Sequence, residues 1–271
     1  MLNLLKTDLR RTFKDKLFLV VCIIGAVFAI IMPLLYVLIF TGLGEMEIGE
    51  FRMALDAKTM FFSAFSPGGD FGLIVPILIA IIICKDFSYG TVRNKIISGK
   101  SRSAIFMSMF TTSTIAMCAV VLAQALLTLG MSLIFFDYQQ GGFTGKDFGY
   151  MLISILFALL VYVFVSALVC FLAVFMKNTG LAVVMYVAVA FLFAIVGSII
   201  MVAGLTVDPE NTTAVTILEF LNNTNVFTST LIGTGSTYTF EDVMYILMPT
   251  LGGTAIFLAL GLIVFNKKDL K

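Results

Sequence analysis

Apolar positions along this chain fall into long blocks separated by short polar stretches. The blocks are Leu17–Thr41, a second ending at Cys84, Ala104–Phe136, Phe148–Phe175, Leu181–Val207 and Val243–Phe265. Crossing a hydrocarbon core ~30 Å thick takes about 20 helical residues. Backbone polar groups at that depth must be satisfied within the helix itself. The pattern therefore predicts an all-α integral membrane protein with six transmembrane helices. Residues 1–271 form one domain, since no repeat and no Pro- or Ser-rich linker divides them. The first block is too long and too far from the start for a signal segment, and no small-residue cleavage pattern follows it. The second block is short: Phe71–Cys84 covers only ~21 Å at ~1.5 Å per residue. That span is expected to begin earlier, within Met60–Phe65. The break Ser66-Pro67-Gly68-Gly69-Asp70 then lies either inside it or in a loop at the outer surface.

Two polar stretches have a helical period of their own. Leu2, Leu5, Leu9 and Phe13 form one apolar stripe, with Arg10, Arg11 and Lys14 around it. Such a basic amphipathic helix, over residues 1–16, lies in the membrane interface among anionic lipid heads. In the segment 85–103, Ser88 is a candidate N-cap and Gly99 a candidate stop. Tyr89, Val92 and Ile96 would line one face, with Arg93, Lys95 and Lys100 elsewhere. A plain connection between two spans has no need of such a helix. A surface that receives force from a cytosolic partner does.

Charge gives the orientation. Fourteen of the 17 basic residues fall on one side: Lys6, Arg10, Arg11, Lys14 and Lys16; Lys85, Arg93, Lys95, Lys100 and Arg102; Lys177; Lys267, Lys268 and Lys271. Arg52, Lys58 and Lys146 fall on the other, together with 12 of the 16 acids. The positive-inside rule then puts both termini in the cytoplasm of a multi-pass plasma-membrane protein.

Composition narrows the chemistry. The chain is 60% hydrophobic and 12% charged, against ~25% charged in soluble domains, and its mean hydropathy is +1.09. A cytosolic enzyme, a secreted disulfide scaffold and a disordered protein are all excluded. A net charge of +1 suggests no nucleic-acid partner. The absence of His removes zinc-dependent and rhomboid-type intramembrane proteases. Cys22, Cys84, Cys118 and Cys170 include no CxxC pair, so thiol–disulfide exchange is not expected. No catalytic, cofactor or metal residues are assigned. Apart from Asp70, the predicted spans hold no Asp, Glu, Lys, Arg or His, which disfavours ion-coupled carriage and voltage sensing. Energy for any pumping must come from another chain. The P-loop pattern is missing here: Gly99-Lys100-Ser101 has its ending, but Asn94 occupies the first glycine position.

Three stretches resemble the permease subunits of type-2 ABC exporters. They are the opening MLNLLKTDLRRTFKDKLFL, the segment KDFSYGTVRNKIISGKSRSAIF from Lys85 to Phe106, and the ending GLIVFNKKDLK. Ser98-Gly99-Lys100 departs from the family, where many members carry a Pro before the Ser/Arg pair. The resemblance implies a half-transporter: two permease copies, expected to be a homodimer, on two separate ATPase subunits that bind ATP and Mg. It makes 85–103 the coupling segment, with Asp86, Phe87, Tyr89, Thr91, Val92, Arg93 and Ile96 against the ATPase and the N-terminal helix as second contact. It also implies re-entrant helices, acting as an outer gate or lid, in the outer segment 206–242, with a simple surface cap as the alternative; Ile217, Phe220, Leu221, Phe227 and Leu231 there are spaced for one or two short helices.

Within the spans, Gln124, Thr128, Tyr162, Ser166 and Tyr186 are the candidate path residues, with interhelical packing as the alternative for Gln124. Gly25 and Ala29, and Ala190, Ala194 and Ser198, form small faces that permit close helix approach and are assigned to the dimer interface. A path without charge suits an amphipathic or hydrophobic cargo, a peptide, toxin or bacteriocin best of all. The rivals are a drug or antibiotic efflux or immunity permease, and a membrane interaction or signalling protein with no cargo.

Overall fold

The computed structural model describes residues 2–42, 56–139, 142–176, 178–207, 212–227, 231–235 and 237–267. The charges at Arg52, Lys177, Lys268 and Lys271 lie outside the described residues. Those residues are helical, without a strand: α1 Leu2–Lys14, α2 Lys16–Gly42, α3 Ala57–Ser63, α4 Asp70–Ser88, α5 Thr91–Ile97, α6 Arg102–Phe135, α7 Gly145–Met176, α8 Thr179–Thr206, α9 Thr212–Thr224 and α10 Phe240–Lys267. Six of them, α2, α4, α6, α7, α8 and α10, are long and apolar enough to span a membrane. Their ends lie within a few residues of the apolar blocks, except in the second span.

There the helix does not stop at Cys84 but runs on to Ser88. At ~1.5 Å per residue, α4 alone reaches ~28 Å, so it needs no extension into Met60–Phe65. Those residues instead build α3, capped by Asp56 through the Thr59 amide at 2.7 Å. Its buried Met60, Phe61 and Phe62 pack it on α6. Ser66–Gly69 turns the chain between the two pieces. Gly72 is required just beyond that turn: a Cβ there would stand 1.8 Å from the Ser66 carbonyl oxygen.

The bundle is organised around α7, the most enclosed span, which touches α4, α6, α8 and most extensively α10. Side chains from Val161 to Val174 on α7 are nearly all buried. α2 lies on α6 and α4, and α1 lies across the start of α6. At the basic end Arg102 Nη1 donates to the Asn266 carbonyl at 2.9 Å, tying the first turn of α6 to the last turn of α10.

α9 folds back along α8. Asn225 Nδ2 donates to the Phe193 carbonyl at 3.0 Å, and the Phe227 ring stacks on Phe193 at 5.1 Å. Phe193 is mid-way along α8, ~20 Å from its Thr206 end by helical rise. Asn225 and Phe227 therefore lie beside α8 at that depth. Ile217, Phe220 and Leu221 are exposed, whereas Phe227 is 3% exposed.

Candidate functional site

The interfacial helix presents the opposite face from the one its apolar stripe suggests. Leu4, Asp8 and Thr12, spaced by four, are buried against the bundle, while Leu5 and Leu9 are half-buried and Phe13 is exposed. A helix between protein and lipid turns its apolar stripe to lipid, so its polar stripe must find partners in the protein. It finds them in a charged seam. Lys95 Nζ of α5 lies 2.7 Å from Asp8 Oδ1 and 3.8 Å from Asp86 Oδ2. Arg11 pairs with Asp86 from the other side. Ser108 Oγ of α6 donates to Asp8 Oδ2 at 2.7 Å. Lys85 reaches Asp15 at 3.4 Å, at the corner between α1 and α2.

Two carboxylates and two cations therefore balance within the seam. The Asp8 side chain is 5% exposed, Lys95 12% and Asp86 12%. Removing one member of such a group costs ~3–5 kcal/mol, because its partner stays buried and uncompensated. Four elements, α1, α4, α5 and α6, are thereby tied into one unit. Asp8, Arg11, Asp86, Lys95 and Ser108 carry this site; sequence reasoning singled out Arg11, Asp86 and Lys95 for other roles and missed Asp8 and Ser108. The signal that could have found them is the second period on α1, at Leu4, Asp8, Thr12 and Asp15.

α5 itself is seven residues long, not ten. Ser88 ends α4 and does not cap α5. The chain turns at Gly90, in the left-handed region at φ 67°. The expected stop at Gly99 is present, with φ 82°. The Gly99 amide bonds the Ile96 carbonyl at 2.9 Å and the Lys100 amide bonds the Lys95 carbonyl at 3.2 Å, the double closure of a Schellman motif.

The seven residues assigned to an ATPase contact divide by direction. Val92 is 1% exposed and Asp86 9%, so both are buried within the protein and cannot form its surface. Ile96 and Phe87 pack on the core as well, Phe87 with its ring edge-on to Phe265 at 6.3 Å. Thr91 is half-buried. Outward-facing are Tyr89 at 76% and Arg93, joined by Asn94 and by Ile97 at 74%. Val92 and Ile96 are thus corrected from docking face to anchoring face.

The candidate path residues do not form one channel. Gln124 and Thr128 bond each other on α6, Gln124 Nε2 to Thr128 Oγ1 at 3.4 Å. Ser166 of α7 bonds Thr114 of α6. Tyr162 and Tyr186 are 0% exposed, and neither hydroxyl has a partner among the described residues. The small faces serve packing inside the protein in the main. Gly25 is buried under Phe71, whose ring tip would lie 2.6 Å from a Cβ at that position. Ala29 and Ala190 are buried, Ala194 is half-buried, and only Ser198 is exposed. Gly25, Ala29 and Ala190 are therefore withdrawn from the dimer interface.

At the other end of the bundle a polar latch holds the segment between α9 and α10. Lys58 Nζ donates to the Gly235 carbonyl at 2.7 Å, and its ammonium stands 5.1 Å from the centre of the Tyr150 ring. The Gly235 amide donates to Tyr150 Oη at 3.0 Å. Tyr238 stacks on Tyr150 at 4.7 Å and shares a 2.6 Å hydrogen bond with Ser154. Burial pushes the Tyr238 phenol up. It also pushes the Tyr138 phenol up, to about 12, where Asp147 and Asp56 add to the effect. Both phenols are therefore neutral at physiological pH. Tyr238→Phe should lower thermal stability in detergent by ~1 kcal/mol, the worth of one such bond. An unchanged melting point would show that the bond contributes nothing.

Below the latch lies a pocket between α3, α7, α9 and α10, lined by Phe62, Phe65, Phe227, Asn223, Pro249 and Thr250. Two breaks in the helices meet beside it, since a Cβ at Gly68 would lie 3.0 Å from the Phe227 carbonyl oxygen. No group of His, Cys, Asp and Glu among the described residues could hold a metal ion.

No curated protein matches the chain. Residues 18–271 match the family described as "Protein of unknown function (DUF2705)", and the chain belongs to that family.

Proposed function

We propose that this protein is the membrane-spanning permease subunit of an ATP-driven exporter of the type-2 ABC class, which pairs with a second copy and works on separate ATPase subunits. The observation that carries this reading is the exposed surface of α5 and of the turn before it. Tyr89, in that turn, and Ile97, on α5, are large side chains set in water-facing positions with Arg93 and Asn94. An apolar pair flanked by polar groups is the anatomy of a contact surface. Behind it, the charged seam links α5 to α1, α4 and α6, so a displacement of that face is delivered to two spans at once. The basic end is then cytoplasmic, in the plasma membrane, as the sorting of Lys and Arg suggests.

The cargo is an uncharged or amphipathic molecule, with a hydrophobic peptide the best fit and a drug or antibiotic the alternative. The pocket beside Phe227 and Gly68 supports this: it is mostly apolar, and its polar groups, such as Asn223 and Thr250, are neutral. It stands where broken helices meet, the place where many carriers hold their substrate or gate.

The test is recovery of bound chains from native membranes. An ATPase subunit should copurify with the wild type. Ile97→Asp should reduce that recovery roughly tenfold, for a loss of ~1.4 kcal/mol of contact energy, at unchanged membrane level. If no ATPase accompanies the wild type, or if Ile97→Asp recovers as much as the wild type, the reading is withdrawn.

A further inference from the structure

The side of α2 that faces α6 carries a groove that none of the roles above uses. It begins near Phe13 and Phe18 at the α1–α2 corner and runs between Cys22 and Gly25 on one wall and Ala119 and Ala123 on the other, with Gln124 among its lining residues. Cys22, Ala119 and Ala123 are exposed, so the groove opens sideways from the bundle. No charged side chain among the described residues lines it.

One polar group breaks its apolar character. Gln124 is 7% exposed, and its Oε1 has no hydrogen-bond partner among the described residues. The orientation of the amide follows from its neighbour. The Thr128 hydroxyl donates its only proton to the Gln124 carbonyl at 3.0 Å. It can then only accept from the side chain, so the amide nitrogen must face it and the amide oxygen is left free. A buried acceptor in an apolar setting costs free energy until a donor reaches it. Gln124 and Thr128 also line a second, smaller pocket with Ser63 and Gly72, so the amide forms a wall common to both spaces.

We propose that this groove binds an uncharged amphiphile drawn from the bilayer, of the class of long-chain alcohols, monoacylglycerols and fatty amides. Its tail lies along Ala119 and Ala123, and its hydroxyl or amide N–H donates to Gln124 Oε1. A charged headgroup finds no counter-ion in the groove, and a pure hydrocarbon leaves the acceptor unsatisfied. The proposal concerns the isolated chain and does not depend on the ATPase reading.

The experiment uses the purified full chain in nanodiscs with two photoactivatable probes. One is a long-chain alcohol bearing a diazirine and an alkyne, and the other is its methyl ether, which has no donor. After irradiation, labelled peptides are mapped. The alcohol should label the segments around Cys22–Ala26 and Ala119–Leu127 roughly fivefold more than the ether, the worth of one hydrogen bond. Gln124→Met should bring the alcohol down to the ether's level without lowering the melting point, because an unsatisfied group is removed. Ala123→Phe, at an exposed position, should reduce labelling by both probes by filling the groove. Equal labelling of the wild type by the two probes would overturn the proposal. So would a preference for the alcohol that survives Gln124→Met. So too would a protected groove whose Cys22 crosslinks to Cys22 of a second copy, since a protein helix would then be the occupant.

Discussion

Val92→Asp should lower the amount of folded protein in the membrane severalfold. Val92 is 1% exposed within the core cluster. Its burial contributes ~1.5–3 kcal/mol. The new carboxylate would sit three residues from Lys95, whose ammonium Asp8 and Asp86 already hold. The seam's two carboxylates would become three against two cations, and a buried uncompensated charge adds several kcal/mol more. That sum is comparable to the whole stability of many domains. Ile97→Asp is the matched control, the same side chain placed at the exposed end of the same helix, where surface changes usually cost under ~0.5 kcal/mol. Quantitative membrane levels and detergent melting of the two variants check the prediction. Normal levels of Val92→Asp would mean that α5 swings free of the bundle and that Val92 faces outward after all.

The contrast between these two positions shows what could be read from sequence alone. The spans could, because lipid demands long apolar blocks and nothing else in the chain imitates them. The end of α4 could not. Lys85 and Asp86 read as the close of an apolar block, yet the helix carries both onward because Arg11, 75 residues earlier, meets Asp86. The face of α5 was ambiguous for a similar reason. A short helix at a membrane surface has two sides with apolar residues, Val92 and Ile96 against Tyr89 and Ile97, and periodicity does not say which side is inside. On α1 the rule for a soluble helix is inverted, since the apolar stripe is the one that leaves the protein. Small faces such as Gly25–Ala29 announce close approach but not the partner, which here is Phe71 of the same chain. The polar latch joins Lys58 to Gly235 and Tyr150 across long stretches of sequence, and no local pattern marks such a meeting. The stop at Gly99 was legible, because a positive φ favours glycine.

Asp8→Ala tests the seam more sharply than any change on the exposed face, because it breaks the link between α1 and α5 and touches nothing outside the protein. Lys95 would keep only Asp86, at 3.8 Å and already paired with Arg11. The Ser108 hydroxyl would lose its acceptor as well. The expected loss is ~3–5 kcal/mol, the range for a buried ion left without its partner. Lys95→Met alone should cost a similar amount, since Asp8 would then be left with Ser108 only. Combining the two should recover most of the loss. A neutral pair leaves no uncompensated charge, and replacement of a whole buried ion pair by apolar groups is often neutral. The double variant should therefore melt within ~1–2 kcal/mol of the wild type, with a strongly non-additive cycle. Recovery of stability need not bring recovery of coupling. If the seam transmits motion from α5 to α1, Asp8→Ala combined with Lys95→Met should reach normal membrane levels and still retain a bound ATPase, yet transport poorly. Simple additivity of the two single losses would show that Asp8 and Lys95 act independently, and the seam would then be an incidental cluster of charges at the end of the bundle.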